Sequence, residues 1–103
     1  MSKEKIDLTE LDKLEMMLQD AGIEYEREDS SNGRTGFLWE FHQLRDPERT
    51  FENKWIWDVV CNTGSYGYEL GLLELWGKDM NHPEGWLMAE ECFARIKEIL
   101  KHE

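Results

Sequence analysis

The stretch KWIWDVVCNTGSYGYELGLLELWG, Lys54–Gly77, decides how this chain folds. An apolar run with two tryptophans precedes a Gly/Ser/Tyr connection, and a second apolar run follows it. In Lys54–Asn62, Trp55, Trp57, Val59 and Cys61 fall on one side of an extended chain, with Ile56 and Val60 on the other. Only Asp58 interrupts the apolar character, and a strand apolar on both sides is central or covered at both faces. Leu70–Trp76 is too short for a helix and reads as a further short strand, with Gly71 and Gly77 as its brackets.

Upstream, Phe37, Trp39 and Phe41 alternate with Leu38, Glu40 and His42, the period of a strand; Asp46-Pro47 and the polar run to Asn53 break it. Ile23 and Tyr25 alternate with Glu24 and Glu26, so Ile23–Glu28 reads as a half-buried strand. The intervening DSSNGRTG, Asp29–Gly36, holds an Asn32-Gly33 turn signal and reads as a loop. Before it, Leu11, Leu14, Leu18 and Ala21 form one helical stripe in a helix from about Leu8 to Ala21. Asp7 or Thr9 caps that helix, with Glu10 or Asp12 as capping-box partner, and Gly22 ends it. After Pro83, Glu84 and Gly85, a last helix over about Leu87–Lys101 presents Ala89, Cys92, Phe93, Ile96, Ile99 and Leu100 on one face. Glu90 and Glu91 suit its N-terminal end, and Lys97 and Lys101 its C-terminal end. The order predicts one α+β domain over residues 1–103. Its small antiparallel sheet of three to four strands is flanked by an N-terminal and a C-terminal helix, both on one face.

With 103 residues, 40% hydrophobic and 12% aromatic, the chain has enough apolar surface for a core without disulfides or metals. Cys61 and Cys92 sit in apolar patterns and read as reduced core residues. The net charge of -11 disfavours direct binding to nucleic acid or an anionic membrane, and the twelve basic residues are scattered along the sequence. The acidity reads either as solubility or as a surface that docks on a basic partner in competition with DNA. The charged N-terminal segment lacks a signal core and no apolar run is long enough to span a bilayer, which points to the cytoplasm.

Ser65, Tyr66, Gly67, Tyr68 and Glu69 form the candidate interaction loop. Glycine opens backbone conformations closed to other residues, and tyrosine is enriched at interfaces. A tight connection with its tyrosines packed on the core accounts for the same residues. Gly64-Ser65-Tyr66-Gly67 lacks the spacing of a nucleophile elbow, and no lysine stands beside a serine or threonine to cradle phosphate. His42, His82, His102, Cys61 and Cys92 lack metal-ligand spacing, so neither metal nor cofactor is expected. Asp58 either faces water at a sheet edge or pairs with Arg27, Arg45 or Lys54; catalysis by it requires a buried cleft. Glu69 and Glu74 suit acid–base work only at the right separation. Of the five tryptophans, one or two should remain partly exposed, and one beside Tyr66 or Tyr68 would anchor an interface.

WDVVCNTGSYGYELGLLELWG followed by EGWLMAEECFARI resembles a pattern in small uncharacterised proteins encoded by phages and prophages of Gram-positive bacteria. The resemblance covers about half the chain. It rests on Trp57–Cys61, Gly64–Glu69, Gly71–Glu74 and the final helix. The family pattern has a threonine before that helix where this chain has Met88, which puts the helix cap in question. No activity is assigned to the family, so the resemblance implies a genomic setting and a host-bacterial cytoplasm. The leading expectation is a non-enzymatic accessory protein that binds a basic protein partner and inhibits a host DNA-handling or defence factor. A self-associating assembly protein is the alternative, and a small hydrolase using Asp58 or Glu69 comes third.

Overall fold

The computed structural model describes residues 9–34, 37–49 and 54–102. It is an α+β arrangement: α1 (Glu10–Ala21), β1 (Glu26–Arg34), β2 (Phe37–Arg45), β3 (Trp57–Val60), a 3-10 turn (Tyr68–Leu70), β4 (Leu73–Gly77), β5 (Glu84–Leu87) and α2 (Ala89–Lys101). All neighbouring strands are antiparallel and the sheet order follows the chain, β1-β2-β3-β4-β5. The fifth strand is Glu84–Leu87, residues the sequence assigns to the approach and first turn of the last helix. Leu70 lies in the 3-10 turn, and the strand after it begins at Leu73.

Thr9 Oγ1 accepts from the Asp12 N–H at 3.1 Å and Asp12 Oδ2 accepts from the Thr9 N–H at 3.2 Å, the capping box that the TELD spacing anticipates. Gly22 (φ 70°) closes α1, and the Ile23 N–H returns to the Leu18 carbonyl at 3.0 Å. Asp7 and Leu8 lie outside the described residues. The DSSNGRTG segment is mostly strand: Asn32 pairs with Trp39, Gly33 with Leu38 and Arg34 with Phe37. The ladder runs through Asn32 and Gly33 to the Arg34–Phe37 pair, so the chain does not reverse at Asn32-Gly33.

Two kinds of cross-strand row organise the sheet. The row Leu44–Val59–Leu75 faces the helices, joined by Trp57, Leu73 and Leu87. Against it pack Leu11, Leu14 and Leu18 of α1 and Ala89, Cys92 and Ile96 of α2, with the helices touching each other. The alternate rows, Gln43–Val60–Glu74 and Arg45–Asp58–Trp76, form the opposite face, which has no helix over it among the described residues. Trp57 is fully buried, which removes roughly 4–6 kcal/mol worth of apolar surface from water. Its indole N–H meets no acceptor among the described residues, a cost of about 1–3 kcal/mol that ring packing outweighs.

The period breaks at Ile56. A bend there sends Ile56 into the core with Trp57, while Trp55 joins Asp58 and Trp76 on the open face. The alternation in the sequence had grouped Trp55 with Trp57. Arg27 ties β1 to α1, donating to Asp12 Oδ1 at 2.9 Å and Glu15 Oε1 at 2.8 Å.

Met88 supplies no side-chain cap to α2, yet the helix start is satisfied. Glu91 Oε1 accepts from the Met88 N–H at 2.8 Å, and Glu10 Oε1, from the other helix, accepts from the Ala89 N–H at 2.7 Å. Burial opposes the ionisation of Glu10, but the Ala89 N–H and Lys13 outweigh it and hold the carboxyl below its ordinary value. Stability from this contact is therefore full above the unfolded glutamate value and is lost as pH falls through the lower folded value. Glu10→Ala should cost about 1–2 kcal/mol near pH 7, the scale of a lost cap. In urea titrations the gap from wild type should shrink below about pH 4.

Candidate functional site

The Asn62–Glu69 segment leaves β3 and is stapled to β2. Asn62 Oδ1 accepts from the His42 N–H at 2.8 Å, and Thr63 Oγ1 accepts from the Glu40 N–H at 2.8 Å. Ser65 is occupied within its own turn: its Oγ accepts from the Asn62 N–H at 2.9 Å and donates to the Asn62 carbonyl at 2.8 Å. That hydroxyl closes its own turn. Gly67 has φ 93°, and a Cβ there would stand 2.9 Å from Leu72 Cβ and 3.2 Å from Trp86 Cα. Glycine is thus required both by conformation and by close approach. Tyr68 is half-buried at the start of the 3-10 turn, and Glu69 is exposed on it.

Tyr66 separates from these. It is 58% exposed and its N–H donates to Glu74 Oε1 at 2.8 Å. Its Cβ lies against Gly85, where an added Cβ would come within 2.3 Å. The next residue, Trp86, is 56% exposed and has φ 62°, the one positive φ outside glycine among the described residues. The ladder explains the placement. Leu73 pairs with Leu87 but Leu75 pairs with Glu84, so β5 carries one residue more than β4 over that interval. The resulting bulge turns Trp86 outward. A left-handed conformation in a bulky residue costs about 1–3 kcal/mol and is held only by its surroundings. Leu70, 69% exposed, ends the 3-10 turn beside this loop. Tyr66 and Trp86 are therefore two exposed aromatic residues joined at the backbone, with the Trp86 N–H 3.5 Å from the Tyr66 carbonyl. The place of Trp86 was not legible, because a bulge is a property of the pairing.

The second feature lies on the open face at the end of the β3–β4 pair. Lys54, Trp55, Asp58, Trp76 and Lys78 line a cavity of about 200 Å³. β3 is central, so Asp58 is not at a sheet edge. Arg45 is its cross-strand neighbour, and its Nη1 donates to Glu28 Oε1 at 2.8 Å and Gln43 Oε1 at 2.6 Å. Burial first, and then the charge of Glu74, push the Asp58 carboxyl up to about 6, with Arg45 opposing weakly. Glu74 thus acts with Asp58 and Tyr66, rather than pairing with the exposed Glu69. Basic residues scattered in the sequence gather here: Arg45 and Arg49 stack on Trp55 at 4.6 and 4.0 Å, and Lys54 and Lys78 line the cavity. Trp39, Trp76 and Trp86 are exposed and only Trp57 is fully buried, so the sheet hides fewer indoles than the composition suggests.

Cys61 is half-buried and Cys92 buried, both free; burial pushes the Cys92 thiol up to about 12 and leaves it unreactive. Among the described residues no three His, Cys, Asp or Glu side chains converge as a metal site, and no helix is long and apolar enough to cross a membrane. No family model, curated protein or solved structure matches the chain.

Asp58 inverts the usual pH behaviour of a carboxylate. Its folded value lies above the unfolded one, so stability falls as pH rises from about 4 to about 6, by roughly 2–3 kcal/mol. Asp58→Asn should therefore be more stable than wild type at pH 7 by up to that amount. The two should match near pH 3.5; urea titrations at both pH values check this.

Proposed function

We propose that this chain is a small phage-type accessory protein that acts by binding another protein, with Tyr66, Leu70 and Trp86 as its docking patch. The observation that carries this reading is Trp86, a large aromatic ring held outward on a bulge at a strained φ of 62°. Folding alone gives no reason to expose an indole there, since glycine would fit the conformation without strain. Tryptophan and tyrosine are the residues that dominate interface energetics when desolvated by a partner. Gly67 and Gly85 seat the loop tightly against β5, so the two rings are presented by a rigid platform rather than by a loose loop.

Charge supports a basic partner. Glu69 and Glu74 border the patch, and the chain carries a net charge of -11. A positively charged surface would be steered toward it, with an association rate that falls as salt rises. A host factor that handles DNA presents such a surface, and occupying it would inhibit that factor.

Trp86→Gly separates function from folding. It should leave the melting temperature unchanged or higher, because glycine relieves the positive φ, yet weaken capture of the partner by at least about tenfold, the scale of an interface hot spot. Affinity capture from Gram-positive host lysate, with melting curves of both proteins, checks it. A partner retained equally by Trp86→Gly, or binding indifferent to salt, rejects this reading.

A further inference from the structure

A groove of about 390 Å³ lies where both helices end, and it shares no lining residue with the Trp55 cavity. The helices run parallel. At one end Glu10 of α1 accepts from the first N–H of α2; at the other, Ile23, just past α1, and Leu100, in the last turn of α2, line the groove together. Both C-terminal ends, each a partial negative charge, therefore meet here. Ile23, Pro47, Ile56 and Leu100 give the groove an apolar lining, and Glu24, Asp46 and Glu48 give it carboxylates. Glu24 and Glu48 are exposed, and their side chains meet no donor among the described residues. Asp46 is only 8% exposed; its Oδ1 accepts from the Glu48 N–H at 2.8 Å, and its Oδ2 meets no donor among the described residues. That second oxygen is not sealed from the surface, so it opens into the groove that Asp46 lines.

The surrounding charges leave those carboxylates uncompensated. Glu26 continues the acidic border but is held by Arg45 Nε at 3.3 Å, and Arg45 also serves Glu28. Arg49, next to Glu48, stacks on Trp55, and Lys54 and Lys78 line that other cavity. Lys97 lies over Phe93, while Lys101 and His102 lie on Glu98 at 3.8 and 3.3 Å. Asp20, exposed in the last turn of α1, adds to the negative field, and that turn has no basic residue. Among the described residues no lysine or arginine lines the groove.

We propose that this groove binds a linear polyamine, with its ammonium groups on Glu24, Asp46 and Glu48 and the methylenes between them on Ile23, Pro47 and Leu100. Asp46 separates this site from a merely acidic surface. A carboxylate largely removed from water with one oxygen unpaired is costly alone and is satisfied by a charged N–H donor. The carboxylates do not converge: among the described residues no three acidic or other metal-ligating side chains could hold one ion. A compact divalent cation thus finds no closed set of ligands, whereas charges spaced along a flexible chain reach separated carboxylates. The apolar lining suits methylene segments, as the stems of lysine side chains lie along apolar surface with their charged heads in water. A lysine-rich protein segment would also bring backbone N–H and C=O groups against that lining without partners, and a polyamine has none. The volume falls within the roughly 300–1,000 Å³ of small-molecule sites.

The test is isothermal titration calorimetry at pH 7.5 with spermidine, a trivalent linear amine. Saturable one-site binding with a Kd below about 1 mM is expected at about 0.02 M salt, and weaker binding at about 0.15 M as screening sets in. Asp46→Asn keeps the acceptor for the Glu48 N–H and should weaken binding at least about tenfold, the scale of a lost charge-assisted hydrogen bond. Glu24→Gln/Glu48→Gln should weaken it at least about fivefold, the combined scale of two exposed ion pairs. Glu90→Gln removes one charge at the opposite end of α2 and should change it less than about twofold. Hexaamminecobalt(III), equally charged but without methylenes, should bind at least about fivefold more weakly. Trp86→Gly should bind as wild type, which keeps this site distinct from the docking patch. Circular dichroism confirms that each variant is folded. No saturable heat, an equal loss in Glu90→Gln, equal affinity for hexaamminecobalt(III), displacement by equimolar magnesium, or tighter binding of trilysine, also trivalent, would each overturn the assignment.

Discussion

Two helices cover one face of a five-stranded sheet, and everything else in this molecule follows from the face they leave open. The row Leu44–Val59–Leu75 meets α1 and α2, and Trp57 is fully buried in the same cluster. The next row, Arg45–Asp58–Trp76, has no such cover among the described residues. A row of that kind in a soluble antiparallel sheet is normally polar. Here it includes an indole and a carboxylate whose environment disfavours its charge. The apolar content of that face does not contribute to the core.

Local departures from regularity concentrate on the same side. The bend at Ile56 delivers Trp55 to the open face, and the β5 bulge delivers Trp86 outward. Both act by shifting the two-residue period of a strand by one position, which moves a side chain to the opposite face. Each leaves a conformation or charge that costs folding energy. Such costs tend to collect where a surface is used. The helix side shows the reverse pattern: caps are complete, and Glu10 even satisfies the first N–H of the distant helix.

The helices were legible because their signals are local. TELD at the start of α1, Gly22 at its end and the apolar stripe of α2 each act within four residues. The central strand was legible from its apolar run. The hairpin reversal was not, because the ladder from Glu26 to Arg34 competes with the Asn32-Gly33 turn signal and overrides it. β5 was hidden by brevity and by Pro83 and Gly85, which read as loop. Of the candidate loop, Tyr66 kept an exposed role, whereas Ser65, Gly67 and Tyr68 serve the connection itself.

The sequence by itself determined the class of fold, the two helices and the apolar central strand, since periodicity and short-range hydrogen bonding suffice for these. Only the tertiary structure decided which residues share a face and which charges become neighbours. Arg45, Arg49, Lys54 and Lys78 are scattered in the chain and gather around Trp55; Asp58 meets Glu74 across two strands; Tyr66 meets Trp86 across a bulge. Those meetings depend on register, and register is set by the competition of all strands for one helix-covered face.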